Sequence, residues 1–148
     1  AHHHLQPAAD GVQGVRAIMQ ALQHAGVQPH EVDYINAHGT STAKNDSVET
    51  SIIKRAFGEH ARRIPVSSSK SMLGHMIGAS AAIELIIAVL AIHNGVVPPT
   101  INLSEPDPEC DLDYVVDGAR RMPLQTVLST SFGFGSRNAA LVVRRIKG

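Results

Sequence analysis

The chain has 148 residues and equal numbers of acidic and basic side chains, so its formal net charge at pH 7 is zero. With 43% hydrophobic residues and no low-complexity run, it predicts one compact domain with a real core. The neutral charge and an aromatic content of only 3% argue against a surface that binds nucleic acid. The single cysteine, Cys110, cannot form an internal disulfide, so no oxidising compartment is required.

The first nine residues predict a linker or the remnant of a tag, and we expect the domain itself to span residues 10–148. His2, His3 and His4 suggest a metal site at first sight. Three consecutive histidines cannot readily direct their rings at one ion, however, and no acidic or cysteine partner is near. The N-terminus also lacks the basic region and apolar core of a signal peptide, which favours a cytoplasmic location.

Hydrophobic spacing predicts helices and strands that alternate along the chain. An amphipathic helix is expected over residues 10–25, where apolar residues recur every three or four positions. The later predicted elements are a strand at 34–37, a helix at 47–57, a strand at 64–67, an apolar helix at 75–92, a loop at 97–113 and strands at 127–131 and 139–144. This order predicts the α/β class, with a mixed sheet covered by helices on both faces.

Residues 75–92 are almost wholly apolar and long enough to suggest a membrane span. Glu84 falls in the middle of this segment, however, and Gly78 and Ser80 interrupt it. A helix that is apolar all round within an otherwise globular composition is typical of a core. The sequence therefore predicts a buried central helix and no membrane span.

Candidate chemistry begins where the first predicted strand ends. His38 is followed by Gly39 and three hydroxyl residues, and such strand ends are where α/β folds place reactive groups. A neutral imidazole can donate one N–H to a developing oxyanion. An isolated histidine is more often a core residue, but the sequence that follows favours a site in which Thr40 and Thr42 bind a polar ligand chain. Turn formation is the alternative role for these hydroxyls.

Residues 70–75 place two more polar groups before the apolar helix. His75 is expected at the helix N-terminus, where the dipole disfavours the imidazolium and leaves a neutral N–H donor; simple capping is the alternative. A carboxylate at Glu84 needs a partner on this apolar helix. We expect a buried or half-buried ion pair between Lys70 and Glu84 beneath the two histidines. The alternative is an exposed Lys70 and a Glu84 that bonds only Ser80 and the backbone.

The third segment lies near the C-terminus, where Phe132 and Phe134 flank Gly133. Their rings either pack in the core or form a gate that swings over a pocket on a glycine-flexed turn. Cys110 lies between two carboxylate residues, which should oppose formation of a thiolate, so we do not expect a nucleophile there. No motif typical of zinc, nucleotide or metalloprotease sites occurs.

The three segments together resemble the C-terminal half of a β-ketoacyl-acyl-carrier-protein synthase of the elongating type found in fatty acid synthase II. They read Asn-Ala-His-Gly-Thr-Ser-Thr over residues 36–42, Lys-Ser-Met-Leu-Gly-His over 70–75 and Ser-Phe-Gly-Phe-Gly over 131–135. The resemblance covers nearly the whole chain and implies a thiolase-like fold of two similar halves. In such enzymes a cysteine of the first half, absent here, takes the acyl chain from its carrier protein. Malonyl carrier protein then loses carbon dioxide, and the enolate attacks the acyl thioester.

The resemblance also implies roles for the candidate catalytic residues. His38 and His75 would hold the thioester oxygen as the enolate develops. Lys70, paired with Glu84, would order and polarise the His75 side. Without the first half, the 148-residue chain should show no condensing activity on its own.

Substrate contacts follow from the same resemblance. Thr40 and Thr42 would hydrogen-bond the pantetheine arm, and Phe132 and Phe134 would lie at the acyl pocket, with Phe134 as its gate. No cofactor is implied, because the phosphopantetheine belongs to the acyl carrier protein. A monovalent cation is the one metal to consider, at Asn36, Glu84 and Ser129. The full-length protein is expected to form a homodimer.

Two positions depart from the family pattern. Arg137 stands where the family usually has threonine, and Ala43 with Lys44 replaces a pair that usually contains proline. Because Arg137 places a cation near the pocket rim, two other possibilities stay open. The chain could be half of a polyketide or polyene ketosynthase, or a non-catalytic subunit that sets chain length. Such partner subunits lose catalytic residues, whereas His38, Lys70 and His75 are all present in this chain.

Overall fold

A four-stranded mixed sheet with helices on both faces forms the centre of the domain, in a computed structural model that describes residues 11–133 and 137–146. In chain order the elements are α1 (Val12–Ala25), β1 (Tyr34–Asn36), α2 (Asn45–Phe57), β2 (Val66–Ser67), α3 (Lys70–Leu73), α4 (Ser80–Asn94), β3 (Val96–Val97), β4 (Arg120–Arg121), β5 (Thr126–Gly133) and β6 (Arg137–Arg144). Short 3₁₀ helices lie at Pro29–Glu31, Gly58–Arg63 and Ile77–Ala79. The predicted linker over residues 1–9 and the predicted gate residue Phe134 lie outside the described residues.

The strand order is β2-β1-β5-β6, with β1 parallel to both β2 and β5 and with β6 antiparallel to β5. Parallel strands bring their carboxyl ends to one edge of the sheet. His38 follows β1 there, and Lys70 follows β2. The topology therefore joins the first two motifs in space, although 31 residues separate them in the chain.

Two hydrophobic clusters lie on opposite faces of the sheet because successive strand residues point to opposite sides. Helices α1 and α2 pack on one face; the buried residues there include Ile18, Ile35, Ile53, Val66 and Leu128. Helix α4 covers the other face; its cluster includes Tyr34, Ala88, Val97, Leu124 and Val127. The predicted α/β class, with a mixed sheet and helices on both faces, is confirmed.

Helix α4 differs from the prediction in where it begins and in how much of it is covered. It begins at Ser80, because the left-handed backbone of Gly74 and Ile77 interrupts the apolar segment. In this chain only the face that carries Glu84 and Ala88 is buried. The opposite face is exposed and apolar; it consists of Leu85, Ile86, Val89 and Leu90. By length and hydropathy alone, Ile77–Asn94 would be long and apolar enough to cross a membrane.

The predicted loop over residues 97–113 is more ordered than its proline content suggests. Its start pairs with β4 through β3, in a two-stranded antiparallel sheet. Its end lies along β2: Val66 donates its N–H to the carbonyl of Asp113 at 2.9 Å and accepts the N–H of Val115 at 3.0 Å. Thr100 then donates its N–H to the carbonyl of Val115 at 2.7 Å. The segment is thereby tied to the edge of the main sheet.

Candidate active site

His38 lies directly beyond β1, and a buried carboxylate fixes its backbone. Its N–H donates to Glu49 at 2.9 Å and to the hydroxyl of Thr130 at 3.1 Å. The next N–H, of Gly39, donates to the other carboxylate oxygen of Glu49 at 2.8 Å. The turn that carries the histidine is therefore held from helix α2 and strand β5 together.

Glu49 is a site residue that the sequence analysis missed. Its carboxylate is buried and also accepts hydrogen bonds from the Thr130 hydroxyl at 2.7 Å and from Asn45. Burial raises its pKa, and these hydrogen bonds to the charged form oppose that rise. The signal available in the sequence was an acidic residue on the inner face of a predicted helix, where a carboxylate needs donors.

Gly39 permits an approach that no other residue would. Its φ of 38° lies in the left-handed region, and an added Cβ would stand 2.5 Å from the Cβ of Ser68. The hydroxyl of Ser68 donates to the carbonyl of Gly39 at 2.8 Å. The turn after β1 and the segment after β2 are therefore in direct contact.

The imidazole of His38 is held in its neutral form. Burial, together with the positive charge of Lys70 and the nearby His75, lowers the pKa of His38 to about 4. Its Nδ1 has no hydrogen-bond partner among the described residues. A neutral ring retains one N–H, so His38 can act as a donor across the physiological range.

His75 is not the first residue of a helix, which corrects the expectation from the sequence. It follows α3 and precedes the Ile77–Ala79 turn. The N–H of Ile77 donates to His75 Nδ1 at 3.1 Å, and the Ser80 hydroxyl lies 3.2 Å from the same atom. An Nδ1 that accepts a backbone N–H leaves the ring proton on Nε2. The backbone turn, rather than a helix dipole, therefore orients this donor.

The two histidines meet edge to face. Their ring centroids are 5.4 Å apart, at an interplanar angle of 87°. Phe132 lies on the other side of His38, with its ring centroid 5.9 Å away. The structure thus brings the first two motifs and the described part of the third into one site.

The predicted ion pair is present beneath the histidines. Lys70 Nζ lies 2.5 Å from Glu84 Oε1, and both side chains are buried. The other carboxylate oxygen of Glu84 is buried and has no hydrogen-bond partner among the described residues. Asn36 and Ser129 are buried register partners on β1 and β5. Their side chains point to the face of the sheet that α4 covers.

A cavity of about 660 Å³ opens beside this cluster. Its walls include Thr40, Thr42, Lys70 and His75, whereas His38 and Phe132 do not line it. The hydroxyls of Thr40 and Thr42 lie 3.1 Å apart. Cys110 also lines the cavity, and burial chiefly, with nearby carboxylates, raises the pKa of its thiol. This agrees with the prediction that Cys110 is not a nucleophile.

The sequence profile described as "Beta-ketoacyl synthase, C-terminal domain" matches residues 1–104. The chain belongs to the β-ketoacyl synthase family. The match begins at residue 1, so it includes the three N-terminal histidines of this ketosynthase domain.

Relatives of the ketosynthase domain include 3-oxoacyl-[acyl-carrier-protein] synthases and polyketide beta-ketoacyl synthases. The 3-oxoacyl-[acyl-carrier-protein] synthase 2 of Synechocystis is 52% identical over 98% of the chain and 35% of that protein. The corresponding synthase of Coxiella burnetii is 49% identical over 99% of the chain and 35% of that protein. The actinorhodin polyketide putative beta-ketoacyl synthase 1 of Streptomyces coelicolor is 50% identical over 97% of the chain and 31% of that protein.

Solved ketosynthases share the fold. A type II polyketide ketosynthase in complex with its acyl carrier protein superposes with a TM-score of 0.96 and 43% identity, over 99% of this chain and 36% of that one. A beta-ketoacyl synthase from Burkholderia phymatum superposes with a TM-score of 0.90 and 38% identity, over 98% and 35%. The ketosynthase domain thus spans about a third of the length of its relatives.

Proposed function

We propose that this chain is the C-terminal part of a 3-oxoacyl-acyl-carrier-protein synthase that performs decarboxylative Claisen condensation in fatty acid elongation. The observation that carries the proposal is the pair of histidines. The rings of His38 and His75, each able to donate an N–H, have centroids 5.4 Å apart, and His75 lines a cavity whose walls also carry hydroxyl residues. Two such donors suit a thioester oxygen that becomes an enolate oxygen, because they stabilise negative charge without a metal.

In the proposed reaction the bond between the malonyl carboxylate and its α-carbon breaks, and carbon dioxide leaves. The electron pair of that bond forms the enolate, whose oxygen accepts the N–H groups of His38 and His75. The enolate carbon then attacks the acyl thioester carbonyl and forms the new carbon–carbon bond. A cysteine thiolate contributed by the rest of the protein departs from that carbonyl.

Lys70 acts through its position in this scheme. Its ammonium is buried, paired with Glu84, and close enough to lower the pKa of His38. We propose that this charge favours the neutral ring of His38 and stabilises the developing enolate. Thr40 and Thr42 would bind the pantetheine arm, since both hydroxyls line the cavity. Phe132, and Phe134 beyond the described residues, would border the acyl chain.

We propose that a monovalent cation binds at the buried polar atoms under the site. Glu84 has one buried carboxylate oxygen that no described residue contacts through a hydrogen bond. Asn36 and Ser129 are buried neighbours on the face toward α4. The free oxygen of Glu84 is a hard ligand that suits an alkali ion, whereas Asn36 Oδ1 already accepts the N–H of Ser69 at 3.4 Å. When bound, the ion would neutralise the free carboxylate oxygen and rigidify the base of the site.

The partners follow from the exposed surface and from the length of the chain. We propose that the missing first half of the protein covers the outer face of α4, whose four apolar side chains would otherwise stay in water. The acyl carrier protein would deliver both substrates, and the full-length protein would be a cytoplasmic homodimer. The 148-residue chain alone would be inactive, because its one cysteine, Cys110, has a thiol whose pKa is raised by burial and nearby carboxylates.

A polyketide ketosynthase is the second candidate. Polyketide synthases from Streptomyces are 48–50% identical to this chain, close to the values for the 3-oxoacyl-acyl-carrier-protein synthases. Arg137 is exposed at the start of β6, opposite Gly133 in the register, where it departs from the usual fatty acid pattern. The intact histidines and Lys70 argue against a non-catalytic chain-length subunit.

One experiment separates these possibilities. The full-length protein is supplied with an acyl carrier protein primer and malonyl carrier protein, without any reductase, and the products are identified by mass. A fatty acid enzyme should stop at the 3-oxoacyl product after one condensation. A polyketide enzyme should add several units without reduction. Absence of carbon dioxide release and of product would refute the condensing function.

A further inference from the structure

We infer that Thr100 is a positioning residue for the two catalytic motifs, and this inference rests on the proposed function. Thr100 lies in the proline-rich segment, distant in sequence from both motifs. Its hydroxyl accepts the backbone N–H of Ser68 at 2.9 Å. Its own N–H is held by the carbonyl of Val115 at the edge of the sheet, at 2.7 Å. Thr100 thus connects a rigid edge to the segment that carries Lys70.

The connection continues to the histidine turn. Ser68 donates its hydroxyl to the carbonyl of Gly39, and the missing side chain of Gly39 allows this close approach. Glu49 holds the N–H of the same glycine from the other side. The peptide next to His38 is therefore clamped between α2 and Ser68, and the position of Ser68 depends on Thr100.

The next two residues reinforce the same segment. The N–H of Ile101 donates to the Ser71 hydroxyl at 3.0 Å, and the Asn102 side chain donates to the Ser71 carbonyl at 3.3 Å. Ser71 follows Lys70 in α3. Three consecutive residues of the proline-rich segment thus hold the backbone on both sides of Lys70, and their placement fixes its distance from His38.

The test uses the full-length protein and compares Thr100→Val with Thr100→Ser. Valine keeps the shape of threonine but leaves the largely buried N–H of Ser68 without its acceptor, whereas serine keeps the hydroxyl. We expect Thr100→Val to lower kcat for decarboxylation of malonyl carrier protein by about tenfold or more, with KM changed by less than about twofold. Thr100→Ser should regain most of the lost kcat.

Asp33→Ala is the matched control for stability. Asp33 accepts the backbone N–H groups of Gln125 and Thr126 at the opposite end of the sheet. The Asp33→Ala variant should have a lower unfolding temperature and an unchanged kcat. If Thr100→Val behaves like this control, with lower stability and unaltered kcat, then Thr100 is merely structural and the inference is wrong. If valine at this position prevents folding, Ser71→Ala, which removes the acceptor of Ile101, should still lower kcat by about threefold.

A measurement independent of activity separates this inference from the proposed function. The ring nitrogens of His38 and His75 are followed by NMR in wild type, Thr100→Val and Thr100→Ser. Displacement of the His38 turn should move the His38 signals and raise its titration midpoint by about half a pH unit in the valine variant alone. Unchanged histidine signals in that variant would overturn the inference even if the enzyme condenses malonyl units. If the wild-type protein proves inactive but the His38 signals still shift in Thr100→Val, the proposed function is refuted and the inference about Thr100 stands.

Discussion

His38 and His75 are oriented by different kinds of contact. His38 is buried, and side chains of α2 and β5 hold its backbone. His75 is exposed in this chain, and a backbone N–H from Ile77 sets the position of its ring proton. The first arrangement depends on tertiary packing and the second on a local turn. Changes in packing should therefore affect His38 before His75.

The low pKa of His38 makes a prediction about pH. Its folded pKa of about 4 lies below its ordinary value of 6.5, so the folded state binds fewer protons than the unfolded state between these values. Its contribution to stability is complete above pH 6.5 and is lost as the pH falls toward 4. An NMR titration of the His38 ring should show a midpoint near 4. A midpoint near 6.5 would show that His38 is not desolvated.

The Lys70–Glu84 pair makes a prediction about stability. Glu84→Leu leaves the buried ammonium of Lys70 without its partner and should lower the free energy of unfolding of the full-length protein by about 3–5 kcal/mol. The double variant Lys70→Met/Glu84→Leu removes both charges and should recover most of that loss, measured by urea denaturation. Equal destabilisation in the single and double variants would contradict a buried pair. The double variant should remain inactive.

At the level of elements, the turn after β1 depends on one missing side chain. Gly39→Ala would place a Cβ 2.5 Å from Ser68 at a φ that costs about 1 kcal/mol for any residue with a Cβ. We expect the variant to lose most decarboxylase activity. Gly39→Ala/Ser68→Gly removes the clash but not the backbone strain, so it should recover stability in part. No recovery in the double variant would mean that the clash is not the cause.

The outer face of α4 makes the second prediction at this scale. Leu90→Lys on that face should reduce aggregation of the isolated chain, because it breaks an exposed apolar surface. In the full-length protein the same change should destabilise the fold by several kcal/mol, since it would bury a charge. Met19→Lys, on the exposed side of α1, is the control and should do neither. Size-exclusion chromatography and thermal unfolding report both effects. A full-length Leu90→Lys protein as stable as the control would contradict burial of this face.

Hydrophobic spacing and the order of the motifs predicted much of the fold and of the site. The 3.6-residue period in α1 and the strand-like runs at β1 and β5 follow local rules. The pairing of Lys70 with Glu84 could be predicted because an acidic residue on an apolar helix has few ways to be satisfied. The need to pair a buried charge therefore predicted that Lys70 and Glu84 lie together near His38.

The parts that could not be predicted depend on contacts between distant segments. Nothing near Thr100 in the sequence indicates that its hydroxyl accepts the N–H of Ser68. The sequence likewise does not show that the carboxylate of Glu49 accepts the N–H of His38. The break before α4 depends on the backbone of Ile77, whose positive φ is uncommon for a branched residue. Composition alone also gives no sign that the outer face of α4 is exposed in this chain.

For the whole molecule, the family, the site and the incompletely covered surface are consistent with one another. The chain spans about a third of its relatives, its donors lie in one cluster, and its most apolar helix is half uncovered. Under the proposed function, the nucleophile is supplied by the rest of the protein. Condensing activity should therefore be a property of the full-length protein and not of the chain alone.

The most direct test compares carbon dioxide release and 3-oxoacyl product from malonyl carrier protein for the full-length protein, its His38→Ala and His75→Ala variants, and the 148-residue chain. We predict product from the full-length protein, a loss of about a hundredfold or more in each variant, and none from the chain. Undiminished activity in both histidine variants, or product from the 148-residue chain, would contradict the account.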